Sequence, residues 1–162
     1  MEMRDYYKRR AQEYEAIYHR DDSIRQNEQR VIAHALQRAL EGRKVLEIAC
    51  GTGYWTQLLS ETAQCIVATD AVQEVLEVAT KKSYQHPVHF TRQDAYNLSF
   101  GNGGFNGGLA NFWFSHVQKD RIGDFLDGFH RVLQKGARVF MADNVYIPGV
   151  GGELVRKDGD EN

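Results

Sequence analysis

One short segment constrains the fold of this chain more than any other. Residues 45–48 form an apolar run interrupted only by Glu47, and the glycine-containing stretch 51–53 follows shortly after it. An apolar run that leads into glycines is typical of a buried strand, a tight turn and a helix. Glycine lets a main chain pass very close to another surface, so we expect a ligand to lie against this turn.

Strand-like runs and helical stripes alternate along the rest of the chain. Apolar runs that predict strands lie at residues 65–69, 88–91, 109–114 and 137–142, and stripes that predict helices lie at residues 72–79 and 119–134. The glycine-rich stretch 102–108 is a poor strand former, which places the start of the fourth strand after it. Alternation of this kind predicts an α/β fold, because right-handed crossovers cover both faces of a parallel sheet with helices.

The two ends of the chain differ from this central pattern. Tyr7, Tyr14 and Tyr18 recur at helical spacing near the start, and Ser23 with Gln26 forms a capping box for a second helix. We therefore predict N-terminal helices over residues 1–43 and a core over 44–146. A Gly-rich and charged stretch, 147–162, offers no further strand and is expected to be a flexible tail.

Composition excludes several classes of protein. A length of 162 residues with 42% hydrophobic and 26% charged residues fits one ordinary globular domain. The net charge of -2 and the lack of a long basic run argue against a nucleic-acid partner. No stretch resembles a secretory signal or a membrane span, so no membrane partner is predicted and a cytoplasmic location is expected by default. Cys50 and Cys65 are expected to be free thiols, and no metal site is predicted.

Polar side chains follow the predicted strands where the carboxyl ends should meet. Asp70 ends the second strand, a position from which a carboxylate can accept hydrogen bonds from both hydroxyls of a ribose. Ligands of open parallel sheets bind at this rim, so Asp94 and Asn111 should lie on it as well. The alternative is that the two aspartates only form turns, a common use of aspartate after a strand. An NAD-dependent oxidoreductase fits less well, because Thr56 stands where the dinucleotide fingerprint needs glycine or another small residue.

The segments VLEIACGTG, IVATD, RQDAY, NFWFSHV and LQKGARVFMADN resemble the successive motifs of class I S-adenosylmethionine-dependent methyltransferases, over roughly residues 6–146. The resemblance implies a Rossmann-like three-layer α/β/α sandwich with a mainly parallel sheet of about five strands, preceded by N-terminal helices. It also implies S-adenosylmethionine as cofactor, S-adenosylhomocysteine as product, and methyl transfer to a small-molecule acceptor.

The resemblance further implies roles for individual residues. Asp70 with Ala71 would bind the ribose, and Asp94 with Ala95 would bind the adenine. The glycine turn would carry the methionine part of the cofactor, and the end of the fourth strand would border the methyl group; these regions contribute Glu47, Ala49, Cys50, Gly51, Gly53, Asn111 and Phe112. In related methyltransferases an N-terminal helix closes over the cofactor with a tyrosine, for which Tyr14 is the candidate.

Two residues are assigned from general chemistry. Thr56 falls in the first turn of the helix after the glycines, where it could bond a cofactor carboxylate at the positive helix end. His116 is the candidate general base, because histidine titrates near neutral pH and acceptors such as hydroxyls must lose a proton. The alternative for His116 is a structural role at the start of the helix 119–134. An aromatic rim with a modest acidic net charge favours a small organic acceptor.

The sequence departs from the family pattern at three places. Ala49 replaces a glycine of the turn, and residues 105–108 lack an aspartate and the β-forming residues usual in relatives. The sequence also ends before the antiparallel hairpin that normally completes the sheet. An exposed sheet edge would then allow a homodimer, and the alternative function is a non-catalytic or truncated domain that binds cofactor or dimerises.

Overall fold

A computed structural model describes residues 10, 11, 13 and 15–145 of the chain. The predicted tail, 147–162, and the tyrosines Tyr7 and Tyr14 lie outside the described residues. Residues 15–18 are helical, and residues 15–20 are called the N-terminal segment below. Within the described ranges, no helix has both the length and the apolar character that crossing a membrane requires.

Helices and strands alternate after the N-terminal segment, as predicted, except that the third strand leads to the fourth without a helix between them. They are α1 (Ser23–Leu40), β1 (Lys44–Glu47), α2 (Tyr54–Leu59), β2 (Cys65–Asp70), α3 (Gln73–Ala79), β3 (Val88–Arg92), β4 (Phe105–Leu109), α4 (Ile122–Val132) and β5 (Leu133–Phe140). Two short 3₁₀ helices, Phe114–His116 and Lys119–Arg121, lie between β4 and α4.

The strands form one five-stranded sheet in the order β3-β2-β1-β4-β5. Every pairing between neighbours is parallel. The central strand β1 pairs with both β2 and β4, so that Glu47 stands beside Ala68 on one side and Leu109 on the other. The chain extends the sheet in one direction through β3 and then returns to the other side of β1. The topological switch point therefore lies between β1 and β4, where ligands of this architecture bind.

Each face of the sheet carries its own apolar core. On one face, α1 and α2 supply Leu36, Leu40, Trp55 and Leu59 to a cluster that also contains Val45 of β1. On the other face, Phe125 and Phe129 of α4 pack with Leu46 and Phe105. The predicted three-layer α/β/α sandwich with a parallel sheet is confirmed.

The fourth strand lies earlier in the chain than the sequence indicated. β4 consists of the glycine-containing residues Phe105–Leu109. The predicted strand at 109–114 is wrong, because the strand ends at Leu109 and a 3₁₀ helix begins at Phe114. A Cβ on Gly108 would lie 2.7 Å from Cζ of Phe129, and one on Gly107 would lie 3.0 Å from Cγ2 of Val45. The strand has glycines because α4 and β1 pack directly against its backbone.

Two helix ends also differ from prediction. The N-cap of α1 is Asp22, whose Oδ1 accepts hydrogen bonds from the backbone N–H groups of Ile24 and Arg25 at 3.0 and 3.2 Å. The predicted capping box with Ser23 as the cap is therefore wrong by one residue. The helix predicted over residues 119–134 ends at Val132, and Gly136 lies inside β5 with a φ of 78°, near a register irregularity in the pairing of β5 with β4.

Candidate functional site

A cavity of about 1230 Å³ lies at the carboxyl ends of the strands, beside the switch point. Its walls come from the residues that follow β1, β4 and β5, together with Asp70 at the end of β2. Tyr18 and Arg20 of the N-terminal segment and several side chains of α1 line the opposite side. The cavity therefore lies between the sheet rim and the N-terminal elements, where the strand order predicts a ligand.

The turn after β1 forms the inner wall of this cavity. Ala49, Gly51 and Gly53 all adopt positive φ angles, of 52°, 55° and 83°. An alanine in this region is strained relative to glycine, which explains why the family pattern has glycine where this chain has Ala49. A Cβ on Gly51 would meet no atom within 4 Å, whereas one on Gly53 would lie 2.7 Å from the Tyr84 hydroxyl oxygen. Gly53 is thus favoured by its positive φ and by the close approach of Tyr84, and Gly51 borders open space.

Asp70 joins this turn to the turn after β2. Its Oδ2 accepts a hydrogen bond from the backbone N–H of Gly51 at 3.0 Å, and its Oδ1 accepts one from Val72 at 2.9 Å. Burial raises the pKa of the Asp70 carboxyl, although the backbone N–H groups around it act in the opposite direction. Each carboxylate oxygen can accept a second hydrogen bond, so the side chain can still bind hydroxyl donors from a ligand.

Glu47 lies behind the turn and is not part of the cavity wall. Its side chain is only 2% exposed, and its Oε2 has no hydrogen-bond partner among the described residues. Burial raises the pKa of Glu47 to about 7; the neighbouring Thr56 hydroxyl lowers it and the charge of Asp70 raises it further. A buried carboxyl with an unpartnered oxygen is costly, which marks this position as one that packing alone does not explain.

The end of β4 forms the wall opposite Asp70. Asn111 is buried, its Oδ1 accepts a hydrogen bond from the N–H of Ala142 at 3.2 Å, and its Nδ2 has no partner among the described residues. Phe112 adopts a φ of 52°, and its ring stacks on Trp55 at a centroid distance of 5.8 Å. His116 lines the cavity from the end of the first 3₁₀ helix, with an exposed side chain.

The structure brings part of the predicted site together and leaves part of it outside. The predicted site residues that line the cavity are Ala49, Cys50, Gly51, Asp70, Asn111, Phe112 and His116. Glu47, Gly53 and Thr56 lie behind this wall, and Thr56 is completely buried. Asp94 is exposed and closes a turn by accepting a hydrogen bond from the N–H of Tyr96 at 2.9 Å.

Ala71 and Ala95 also lie away from the cavity wall. Ala71 follows Asp70 directly, and its carbonyl oxygen accepts a hydrogen bond from Nε of Arg92 at 2.9 Å. Ala95 packs against the core on the α4 side of the sheet. Their assignments, like that of Asp94 to adenine, stay predictions.

Most residues of the cavity wall formed by the N-terminal segment and α1 were not predicted from the sequence. The Tyr18 ring stacks on Tyr54 at 3.9 Å, and Arg20, Arg25 and Gln29 extend the wall of the cavity. The helical spacing of the tyrosines is the only signal in the sequence that pointed to this wall. Polar residues on an exposed helix carry no pattern that separates cavity-lining positions from those that face solvent.

Comparison with known proteins agrees with this geometry. A family model described as "Methyltransferase domain" matches residues 45–136, more than half of the chain. A demethylmenaquinone methyltransferase of Clavibacter sepedonicus is 30% identical over 103 residues, covering 63% of this chain and 41% of that protein. An O-methyltransferase of Penicillium expansum is 29% identical over 137 residues, covering 77% of this chain and 49% of that protein.

Solved structures give the same assignment over more of the chain. DhpI in complex with SAH superposes with a TM-score of 0.70 and 29% identity, covering 86% of this chain and 66% of DhpI. DhpI in complex with SAM and HEP superposes with a TM-score of 0.71 at the same identity, covering 86% of this chain and 63% of that one. The present chain spans about half or less of the two curated relatives described above.

The chain belongs to the methyltransferase domain family, and its fold is that of the class I S-adenosylmethionine-dependent methyltransferases.

Proposed function

We propose that this chain binds S-adenosylmethionine in the cavity and transfers its methyl group to a small-molecule acceptor. The observation that carries the proposal is the Asp70 carboxylate, held at the cavity wall by the backbone N–H groups of Gly51 and Val72. This arrangement fixes a hydrogen-bond acceptor beside a turn with positive φ angles, which suits a ribose next to a tightly packed ligand.

The other cavity residues support a consistent placement of the cofactor. The methionine part would lie against Ala49, Cys50 and Gly51, and the ribose would bind Asp70. The unpartnered Nδ2 of Asn111, in a buried side chain, is a donor that a ligand in this cavity could satisfy. Glu47 lies beneath the turn and would not touch the cofactor. Its carboxylate would attract the ammonium group of the methionine part electrostatically, across the turn.

The chemistry assigned to the protein is positioning and proton transfer. When bound, S-adenosylmethionine would supply the methyl group of its sulfonium, and an aligned acceptor can attack that methyl carbon without a protein nucleophile, so that S-adenosylhomocysteine leaves. The cavity walls exclude water and orient the acceptor, which is the main contribution a protein can make to such a displacement. His116, at the cavity wall, would accept the proton of an acceptor that must lose one.

The acceptor is proposed to be a small organic molecule. Similar proteins include demethylmenaquinone methyltransferases and an O-methyltransferase, although a cypemycin N-terminal methyltransferase of Streptomyces sp is similar to the same degree. Phe112 and Trp113 give one side of the cavity an aromatic surface, and Arg20 and Arg25 line the side formed by the N-terminal elements. An acceptor screen should therefore begin with small aromatic and carboxylate-bearing compounds and include a short peptide amine.

Two coarser predictions belong to the same proposal. Residues 1–43 would act as a cover of the cofactor site, supported by Tyr18 and Arg20 on the cavity wall. Homodimerisation through a sheet edge stays a prediction, and gel filtration tests it: a strictly monomeric chain would count against edge pairing.

Calorimetric titration with S-adenosylmethionine, S-adenosylhomocysteine and NADH tests the proposed function. We expect both sulfur cofactors to bind and NADH not to bind. Asp70→Ala should weaken binding about a hundredfold, because two charge-assisted hydrogen bonds to the ribose are lost. Asp127→Ala, which removes an exposed carboxylate on α4, is the matched control and should bind like the wild type. A folded wild-type chain that binds neither sulfur cofactor would refute the proposal.

A further inference from the structure

A carboxylate outside the cavity wall connects three separate parts of the chain. Glu15, in the N-terminal segment, accepts hydrogen bonds from the Thr52 hydroxyl and from Nζ of Lys82, the latter at 2.6 Å. The side chains of Glu15 and Lys82 are 24% and 19% exposed, so this ion pair is largely removed from solvent. His19 lies near the second oxygen, with Nε2 3.7 Å from Oε2.

The two partners of Glu15 belong to different turns, the turn after β1 and the turn after α3. Thr52 is buried in the turn after β1 and directly follows Gly51, whose N–H binds Asp70. Lys82 follows α3, the helix that begins just after Asp70. A single carboxylate thus connects the N-terminal segment to the turn after β1 and to the turn after α3.

The same segment presents the side chain that covers the cavity. Tyr18 lies three residues after Glu15, a spacing that places both side chains on one side of a helix. Its ring stacks on Tyr54, contacts Trp55 edge to face at 6.0 Å, and lines the cavity. Movement of the segment away from Thr52 and Lys82 would therefore carry Tyr18 off the cavity.

Electrostatic interactions of Glu15 favour the closed arrangement, in which the N-terminal segment contacts Thr52 and Lys82. Burial alone would raise the pKa of Glu15, but the hydrogen bonds from Lys82 and Thr52 and the charge of Lys82 outweigh this and lower it. Glu15 is therefore ionised at neutral pH, and the bond from Lys82 is charge-assisted. A charge-assisted hydrogen bond of this kind shifts an opening equilibrium by about tenfold or more.

We propose that Glu15 and Lys82 are positioning residues that form a latch, which holds the N-terminal segment over the cavity and slows the escape of bound cofactor. The opening and closing of the segment concern the chain alone, whereas the effect on cofactor escape rests on the proposed function. The latch predicts that breaking the ion pair exposes the cavity wall without unfolding the sheet.

Alkylation of Cys50 measures opening in the ligand-free chain. Cys50 lies on the cavity wall, is 8% exposed, and burial raises the pKa of its thiol, so the closed form should react slowly. Cys65→Ser leaves Cys50 as the remaining cysteine of the sequence. In this background, Glu15→Gln and Lys82→Met should each accelerate labelling by iodoacetamide, followed by mass spectrometry, about tenfold.

The controls separate a latch from a general loss of stability. Glu13→Gln, an exposed carboxylate near Glu15, should label at the wild-type rate. Exchanging the charges, with Glu15→Lys and Lys82→Glu together, should restore slow labelling, and circular dichroism should show a folded chain for every variant compared. Equal labelling rates in the wild type, Glu15→Gln and Lys82→Met would overturn the latch.

The dissociation rate of S-adenosylhomocysteine, measured by stopped flow, tests the second half of the proposal. Dissociation should accelerate about tenfold in Glu15→Gln and Lys82→Met, and the exchanged pair should recover slow dissociation. Faster labelling with unchanged dissociation would overturn the role in cofactor retention. A wild-type chain that does not bind S-adenosylhomocysteine would refute the proposed function, while the labelling experiment would still decide whether the segment is latched.

Discussion

Two carboxyl groups next to the same turn have different surroundings. Burial raises the pKa of Asp70, but its carboxylate accepts hydrogen bonds from two backbone N–H groups, which oppose this rise. Glu47 is almost completely buried and has an oxygen without a partner among the described residues, which favours its neutral form. The pKa of Glu47, raised to about 7, places its titration within the physiological range. The ligand-free chain should therefore respond to pH through Glu47.

The sign of this response follows from proton binding. In the unfolded chain Glu47 titrates near its ordinary pKa of 4.5, whereas in the folded chain its pKa is about 7. Between these values the folded state holds a proton that the unfolded state has lost, so the free energy of unfolding decreases as pH rises. This loss is absent below about pH 4.5 and complete above about pH 7.

Glu47→Gln removes this dependence because its side chain does not titrate. The free energy of unfolding of the variant, relative to the wild type, should increase by about 3 kcal/mol between about pH 4.5 and pH 8. Urea denaturation of both ligand-free proteins across this range checks the prediction, and titrating groups that do not interact with Glu47 cancel in the difference. Parallel pH profiles for the two proteins would show that Glu47 titrates normally in the folded chain.

At the scale of single elements, the residue that caps α1 in the structure differs from the one that the sequence predicted. Asp22 caps the helix, whereas the sequence favoured Ser23. Asp22→Ala should lower the free energy of unfolding by about 1 kcal/mol, since two backbone N–H groups lose their acceptor. Ser23→Ala should change it by less than about 0.5 kcal/mol. Thermal or urea unfolding decides between them, and a larger loss in Ser23→Ala would restore the capping box.

The packing of α4 on β4 gives a second prediction at this scale. Gly108→Ala would place a methyl group 2.7 Å from the buried ring of Phe129 and should destabilise the fold by about 1–3 kcal/mol. Gly128→Ala in α4 meets no atom within 4 Å and should instead stabilise by roughly 0.5–1 kcal/mol, because alanine is the better helix former. Urea unfolding of both variants measures the two changes in the free energy of unfolding. No change in Gly108→Ala would show that α4 can move away from β4.

The strands show which parts of the fold can be predicted from the sequence and which cannot. β1 and β2 were predicted because their apolar runs express burial on both sides of a parallel sheet. β3, an edge strand without a buried residue, was predicted from β-forming residues such as Val88 and Phe90. The position of β4 was predicted wrongly because its glycines make room for Phe129 and Val45, and these contacts are visible only in the tertiary structure. Asp70 and Asn111 were predicted because the sequence shows where the strands end. Arg20 and Arg25 were not predicted, because residues that line a cavity share no local sequence pattern.

At the scale of the whole molecule, the candidate site joins elements that are far apart in the sequence. The turn after β1 and Asp70 lie on one side of the switch point, and Asn111 and Phe112 lie on the other. Tyr18 closes the cavity from the N-terminal segment. A ligand that contacts all three regions should link them energetically, while α4 on the opposite face of the sheet makes no contact with the cavity.

Hydrogen exchange with mass spectrometry can detect this linkage. Saturating S-adenosylhomocysteine should slow exchange in peptides that cover residues 15–20, 49–57 and 70–76, because ligand binding makes their opening less favourable. Peptides from α4 should change only by the amount that global stabilisation gives every slowly exchanging amide. Protection limited to 49–57 and 70–76 would mean that the N-terminal segment does not cover the bound cofactor. Since the segment contacts the sheet rim through Glu15 and Tyr18, we expect its protection to be lost in Glu15→Gln while that of the two turns persists.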